Sequence, residues 1–415
     1  MPLLKRRIDM PAPLIRIVAV LLGALVLWFV FQTSFAGAYR ASNPALALRV
    51  APSDSHALAE VASAALLKID DPKLRATART QALAALRRDA TNVVALRTLG
   101  MLADADGDRA KAHRILTQAE KLSRRDLPTQ LWLIEYFSQA DDVAQTLRHY
   151  NLALSSSTGS REVLLPVLTS AASDPTLAAA IRNLIAKRPS WWSDYVNQLV
   201  SAGPVEGAAA VLKGLLDPRD VSERTYLAIL LNRLSVAFHN DLAWELYVDA
   251  KTRGGRKLDD GLIRNGGFEA LDELPPFDWT LQEESDIAAT RGPRPDGQGN
   301  ALFLSAARDK AGMVATQLLR LTPGSYRAGF EMGGIPERYS ERPSVTLTCV
   351  SPKGMRDLAR MVAPKASEAP LRVSDDFHVD AGCPWQLVIV RVNSGGGESA
   401  AQPWLDNFTI TRAGR

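Results

Sequence analysis

An uninterrupted apolar run from Ile17 to Phe31 is the feature that most constrains how this chain folds. Counted from Leu14 to Phe35, the segment has 22 residues. A helix rises about 1.5 Å per residue, so a helix of this length crosses the roughly 30 Å hydrocarbon core of a bilayer. Residues 14–35 are therefore predicted to contact a membrane.

Basic residues predict the orientation of this segment. Those before it are Lys5, Arg6, Arg7 and Arg16. Only Arg40 and Arg49 follow closely, and an excess of basic residues marks the cytoplasmic side of a membrane span. We predict that residues 1–38 form a cytoplasmic flank and a transmembrane anchor, that residues 39–52 form a linker, and that the bulk of the chain lies outside the cytoplasm.

A cleaved signal peptide is the alternative interpretation of the same segment. Ala36-Gly37-Ala38 has the A-x-A pattern of a cleavage site, and cleavage would release a secreted or periplasmic protein. The bulky Trp28 and Phe29 favour an uncleaved anchor, because they make the segment heavier than a typical signal core. Both interpretations take the chain out of the cytoplasm.

The charge distribution argues against a nucleic-acid partner. The 49 basic and 45 acidic residues are mixed along the chain, whereas a protein that binds phosphate backbones usually has a basic stripe. The 47% apolar content is that of a folded protein, and the length allows two or three domains.

From residue 53 to residue 256 the chain is rich in Ala and Leu and repeats at an offset of about 34 residues, the tetratricopeptide period. The coinciding positions are Ala78 with Ala112, Ala85 with Ala119 and Ala153, and Leu99 with Leu133. This stretch resembles tetratricopeptide-repeat proteins, which implies antiparallel helix pairs and an extended concave surface for a protein partner. Leu96 and Ala103 replace the usual aromatic residues, so a looser α-solenoid stays an alternative.

The composition changes in residues 258–415, where short alternating runs replace the helical pattern and 17 of the 27 glycines follow residue 260. These runs predict an antiparallel β-sandwich or jelly roll. The predicted strands are 301–306, 313–321, 325–332, 344–350, 372–379, 385–392 and 404–411. The predicted fold class is thus multidomain, with a transmembrane helix, an all-α solenoid and an all-β jelly-roll sandwich.

Three local motifs carry a second resemblance. They are Asn265-Gly266-Gly267-Phe268-Glu269, Leu321-Thr322-Pro323-Gly324-Ser325-Tyr326-Arg327 and Trp404-Leu405-Asp406-Asn407-Phe408-Thr409-Ile410. The set is similar to galactose-binding-like jelly rolls, which include many carbohydrate-binding modules. In such modules the opening motif and the last strand lie side by side and often hold a structural calcium. The resemblance implies Glu269 and Asp406 as calcium ligands, although two carboxylates fall short of the six to eight oxygens that calcium takes. A capped strand end is the alternative.

Sugar binding normally uses exposed aromatic rings, so Trp279, Tyr339 and Trp385 are the candidate glycan contacts. Burial in the core is the alternative for Trp385 and Trp404, which lie in or beside strands. Tyr339 lies among charged residues and is expected in a loop.

Cys349 and Cys383 are the two cysteines of the chain, and both fall in the predicted β domain. A disulfide is expected, because an exported chain meets an oxidising environment. Two free buried thiols and a metal site are the alternatives, and a metal site has only His378 nearby as a further ligand.

No catalytic motif is present in the sequence: it lacks a G-x-S-x-G elbow, a phosphate-binding G-x-x-x-x-G-K loop and an H-E-x-x-H pair. We therefore expect no enzyme activity and no cofactor apart from calcium. An anchored repeat region followed by such a jelly roll resembles bacterial proteins of exopolysaccharide or envelope-glycan export. The resemblance implies a single-pass protein of the bacterial inner membrane with its bulk in the periplasm. An envelope assembly scaffold and, less favoured, a glycan-active enzyme are the alternatives.

Overall fold

The structure is a computed structural model that describes residues 12–254, 262–271, 273–283, 286–393 and 402–413. The predicted basic flank at residues 5–7 and the predicted domain boundary at residues 256–258 lie outside these ranges. The chain forms two compact units. The first contains residues 1–164 and 189–191, and the second contains residues 165–188 and 192–415.

The first unit is helical. Its helices are α1 Ala12–Tyr39, α2 Pro44–Val50, α3 Ser55–Ala64, α4 Pro72–Arg88, α5 Val93–Ala105, α6 Arg109–Leu122, α7 Leu127–Gln139 and α8 Val143–Ser156. Most begin after an aspartate or asparagine whose side chain accepts a hydrogen bond from the first helical turn, as Asp54 does from the backbone N–H of Ala57. Such caps satisfy amides that have no partner within the helix.

The positions that repeat in the sequence are the positions where helices touch. Ala78, Ala112 and Ala153 have no exposed surface, as expected where neighbouring helices approach closely. A Cβ atom added to Gly100 in α5 would lie 2.5 Å from Cγ of Leu116 in α6, so only glycine fits that crossing. The predicted helical architecture is confirmed, whereas membership of the tetratricopeptide family stays a prediction.

Helix α1 is continuous with the folded part of the first unit. Among the described residues, one helix is long and apolar enough to cross a membrane, and it spans Arg16–Tyr39. Its last turns pack on the helices that follow, because Ala36 is fully buried in a cluster with Ala47 and Ala57. The side chain of Gln32 donates a hydrogen bond of 2.9 Å to the carbonyl of Val50.

The second unit combines helices with a β-sandwich. Helix α9, Gly159–Ala171, contains residues of both units. The remaining helices are α10 Pro175–Ile185, α11 Trp192–Ala202, α12 Val205–Leu212, α13 Val221–Val236 and α14 Asn240–Arg253. The strands are β1 Thr280–Leu281, β2 Ile287–Pro293, β3 Asn300–Ala306, β4 Ala311–Leu319, β5 Gly324–Gly333, β6 Ser344–Ser351, β7 Gly354–Val362, β8 Leu371–Val379, β9 Trp385–Asn393 and β10 Trp404–Arg412.

The strands form two antiparallel five-stranded sheets, in the orders β1-β4-β9-β6-β7 and β2-β3-β10-β5-β8. Apolar side chains on the facing sides of the sheets, such as Phe330, Leu347 and Val390, form one core between them. The predicted β-sandwich is confirmed, and each of the seven predicted strands is present. Strands β1, β2 and β7 were not predicted.

Helix α14 packs directly on the sandwich through buried polar and aromatic contacts. The hydroxyl of Tyr247 donates to Oδ1 of Asp278 at 2.7 Å, and Nζ of Lys251 lies 2.7 Å from Oδ2 of the same carboxylate. Beside them the ring of Trp244 contacts the rings of Phe277 and Trp385. The last helix is therefore in direct contact with the sandwich.

Candidate functional site

The opening motif of the sandwich lies beside the last strand, as its resemblance implied. The backbone N–H of Phe408 donates to the carbonyl of Gly266 at 2.8 Å. A Cβ atom on Gly266 would lie 2.0 Å from the carbonyl oxygen of Phe408, so the two backbones meet only because residue 266 is glycine. This contact places Glu269 and Asp406 on either side of Gly267, whose added Cβ would lie 3.9 Å from Cγ of Glu269 and 3.8 Å from Oδ1 of Asp406.

A buried arginine already supplies a positive charge at this place. Nη1 of Arg294 lies 2.5 Å from Oδ2 of Asp406 and 2.9 Å from Oε2 of Glu331, and its Nη2 lies 2.7 Å from Oδ2 of Asp296. The hydrogen bonds from Arg294 lower the pKa of Asp296. The Arg294 side chain is 3% exposed and lies under the ring of Trp404, at 4.8 Å.

The two carboxylates of the predicted calcium site already have partners. Both carboxylate oxygens of Glu269 accept hydrogen bonds from Asn300, at 2.8 Å from its backbone N–H and 2.6 Å from its side chain. Oδ1 of Asp406 is the single buried oxygen here without a partner in the described ranges. Within those ranges no three His, Cys, Asp or Glu side chains are arranged to hold a metal ion. Calcium at Glu269 and Asp406 stays a prediction from the resemblance.

Two of the predicted glycan contacts are corrected by the structure. Trp279 is 1% exposed, packs on Phe268, and donates from Nε1 to the carbonyl of Asn265. Trp385 is 4% exposed because Trp244 and Phe277 cover it. Neither ring is free to stack on a sugar. Trp404 is also buried, as the alternative for it stated.

Tyr339 is placed as predicted, in a loop and 66% exposed. It begins a short 3-10 helix, Tyr339–Glu341, before β6. The side chain of Asn393, at the end of β9, donates to the carbonyl of Ser340 at 2.7 Å and ties this turn to the sheet. Its role as a glycan contact stays a prediction.

The turn that carries Tyr339 adjoins a sheet face that carries hydroxyl groups. In β6, Val345, Leu347 and Cys349 belong to the core between the sheets, so the alternate residues Ser344, Thr346 and Thr348 point to the opposite side. We call this side of the β1-β4-β9-β6-β7 sheet the outer face. The three residues are only 2–6% exposed, which indicates that larger side chains rise around them.

The hydroxyls on the outer face differ in their hydrogen-bond partners. Thr348 donates from Oγ1 to Oδ1 of Asp357 at 3.0 Å. Ser344 and Thr346 are each 6% exposed. Within the described residues neither hydroxyl makes a hydrogen bond to another side chain, so a ligand that reaches them can bond them.

Two exposed arginines lie beside these hydroxyls on the outer face. In the sheet register, Ser344 pairs with Arg391 of β9, and Thr346 pairs with Arg360 of β7. Since Val390 and Met361 point into the core, Arg391 and Arg360 project on the outer face. Neither arginine has an ion-pair partner within the described ranges. Neither arginine was predicted from the sequence, although the alternation Ser-Val-Thr-Leu-Thr-Cys in β6 indicates a hydroxyl-bearing face.

The predicted disulfide is confirmed: Cys349 and Cys383 are bonded, with 5.6 Å between their Cα atoms. It joins β6 to the residues just before β9. The bond therefore supports the two central strands of the sheet that carries the outer face.

Comparison with known proteins gives similarity for the β part alone. No protein-family model and no curated protein matches the chain. A solved structure of TmCBM61 in complex with β-1,4-galactotriose has 15% identity, covers 37% of this chain and 100% of that one, and gives a TM-score of 0.26. The xylan-binding domain CBM22-1 of Paenibacillus barcinonensis Xyn10C has 11% identity over 36% of this chain and 93% of that one, with a TM-score of 0.27.

A third similar structure comes from a larger protein. The enzymatically active domain of tailspike protein 4 of bacteriophage CBA120 has 15% identity and a TM-score of 0.28. The match covers 37% of this chain and 21% of the tailspike chain.

Proposed function

We propose that this chain is a membrane-anchored, non-catalytic envelope protein whose β-sandwich binds glycan along the outer face. The observation that carries the proposal is the pair of hydroxyl side chains, Ser344 and Thr346, on the outer face of β6, with the exposed ring of Tyr339 in the turn that precedes this strand. Hydroxyls orient a sugar by hydrogen bonds, and an exposed ring offers an apolar surface to the face of a pyranose.

The outer face also supports a non-catalytic role. Asp357 is the single acidic residue in β4, β6, β7 and β9. Most glycosidases need two carboxyl groups that face each other across the scissile bond. A face with one acidic residue suits binding better than hydrolysis.

The N-terminal segment acts as a retained anchor in this proposal. The Ala36-Gly37-Ala38 sequence lies inside α1, and Ala36 is fully buried against α2 and α3. Cleavage after Ala38 would remove Gln32 and Ala36, which contribute to the fold of the first unit. Edman sequencing of the protein from a membrane pellet should give the original N-terminus, and a new N-terminus at Tyr39 would overturn the anchor.

The helical repeats serve as a protein-binding surface, and the whole chain supports synthesis or export of exopolysaccharide or another envelope glycan. A bacterial strain that lacks the gene should produce altered amounts or chain lengths of surface polysaccharide. Unchanged polymer would favour the alternative of an envelope assembly scaffold. Cross-linking and pull-down of the full chain would then identify the assembly partner.

Glycan binding is tested with the full chain in a neutral detergent on a glycan array. We expect binding that weakens about tenfold or more when Tyr339 is changed to Ala, because a stacked ring is lost. The matched control is Phe238→Ala, which removes another ring that is 50% exposed. Absence of any bound glycan with correctly folded protein would overturn the proposal.

A further inference from the structure

We infer that the ligand of the outer face is an anionic, carboxylate-bearing polysaccharide, held by Arg391 and Arg360. This inference rests on the proposed glycan-binding function and adds the chemical class of the ligand. The two arginines lie on the strands to either side of β6, which carries the hydroxyls of Ser344 and Thr346.

The strand register gives their spacing. Arg391 stands one strand from Ser344 on one side, and Arg360 stands one strand from Thr346 on the other. Neighbouring strands lie about 4.8 Å apart and residues rise about 3.3 Å along a strand, so the two Cα atoms are separated diagonally by about 12 Å. Their long side chains can therefore contact acidic groups of one polymer that lies across the outer face.

Several other exposed arginines of the sandwich are paired with acidic side chains. Arg327 pairs with Asp376, Arg356 with Asp380, and Arg338 with Glu341. Such pairs neutralise the surface locally. Arg391 and Arg360 have no acidic partner within the described ranges, and the one acidic residue of the neighbouring strands, Asp357, is bonded to Thr348. The part of the outer face around Ser344 and Thr346 therefore has a net positive charge.

Guanidinium chemistry selects the ligand class. An arginine presents a planar pair of N–H donors that matches a carboxylate, and the charge-assisted pair is stronger than a bond between neutral groups. A neutral glycan would form hydrogen bonds with the hydroxyls of Ser344 and Thr346 but would leave both arginines without a counter-charge. A uronate polymer supplies ring hydroxyls for Ser344 and Thr346 and carboxylates for the arginines.

The test compares acidic polymers with their neutral forms. The full chain in a neutral detergent is titrated by biolayer interferometry with polygalacturonate, alginate and hyaluronan, and with the carboxyl-reduced form of each. We expect at least one acidic polymer to bind at least about tenfold tighter than its reduced form, and its affinity to fall as salt rises. Arg391→Gln and Arg360→Gln should each weaken that binding about tenfold.

Arg327→Gln is the matched control, because it removes the same charge from a strand of the other sheet. It should bind as the unaltered chain does. If glycans bind with dependence on Tyr339, but with no preference for carboxylates and no effect of Arg391→Gln or Arg360→Gln, the anionic class is wrong and the proposed function stands. If folded protein binds no polymer of either form and no array glycan, the proposed function fails as well.

Discussion

The hydroxyl of Tyr247 in α14 lies 2.7 Å from the Asp278 carboxylate in the segment that opens the β-sandwich, and both side chains are buried. Asp278 also accepts a hydrogen bond from the backbone N–H of Leu274 and pairs with Lys251. The Asp278 carboxylate thus binds two residues of the last helix to the sandwich. The sandwich is therefore not an independent module at the end of a linker.

Asp278→Ala should destabilise the second unit by about 3–5 kcal/mol, because it leaves the ammonium of Lys251 buried without a counter-charge. Differential scanning calorimetry in detergent measures the loss. The control is Asp286→Ala, which breaks an exposed pair with Lys310 and should change stability by less than about 1 kcal/mol. Equal effects of the two changes would contradict the role of Asp278.

The stability of the sandwich should not depend on calcium. Arg294 already binds Oδ2 of Asp406, so we expect the melting temperature to stay the same with calcium chloride or with EDTA. Arg294→Ala should lower the free energy of unfolding by about 3–5 kcal/mol, since Asp406 would remain buried and unpaired. A rise in melting temperature on adding calcium to the unaltered chain would show instead that Glu269 and Asp406 hold the ion.

His149 should make the first unit sensitive to acid. Burial lowers the pKa of His149 to about 4, and the neighbouring charge of Arg148 acts in the same direction. The unfolded chain takes up this proton near pH 6.5, whereas the folded chain does not until about pH 4. Its contribution to stability is therefore complete above pH 6.5 and falls as the pH is lowered towards 4.

Melting temperatures at pH 7.5 and pH 5.0 check this expectation. His149→Gln should reduce the difference between the two values, even if it lowers both. The exposed His56, changed to Gln, serves as the control and should leave the difference unchanged. A difference that persists in the His149 variant would assign the acid sensitivity to other groups.

The disulfide should raise the free energy of unfolding by about 3–4 kcal/mol. Cys349 and Cys383 are separated by 34 residues, so the bond restricts the conformations of the unfolded chain. The double variant Cys349→Ser, Cys383→Ser should melt lower than the oxidised chain. A reducing agent should lower the melting temperature of the unaltered chain and leave that of the double variant unchanged.

The strands that the sequence pattern did not predict lie at sheet edges. Strands β1 and β7 flank one sheet and β2 flanks the other. An edge strand is only partly covered, so it needs no regular apolar alternation, and it tolerates charges such as Arg356 and Asp357 or a terminal Pro293. The interior strands and the remaining edge strand, β8, show the apolar alternation that made them predictable.

The candidate site was less predictable than the fold because it depends on register. Tyr339 could be assigned to a loop from its charged neighbours, whereas the burial of Trp279 and Trp385 depends on residues distant in sequence, Phe408 and Trp244. Arg391 and Arg360 come from two strands that both pair with β6. Period-two alternation assigns each arginine to a face but does not show that they border the same hydroxyls.

Helix α1 packs on the first unit soon after its apolar run ends at Phe31, since Gln32 already bonds Val50. In the proposed membrane orientation, each molecule diffuses in two dimensions with its helical unit held at the bilayer surface. Many copies then meet the same long polymer, and each needs only weak affinity, because simultaneous engagement multiplies the strength of attachment. Such an array would hold a growing chain close to the membrane while any single contact exchanges rapidly.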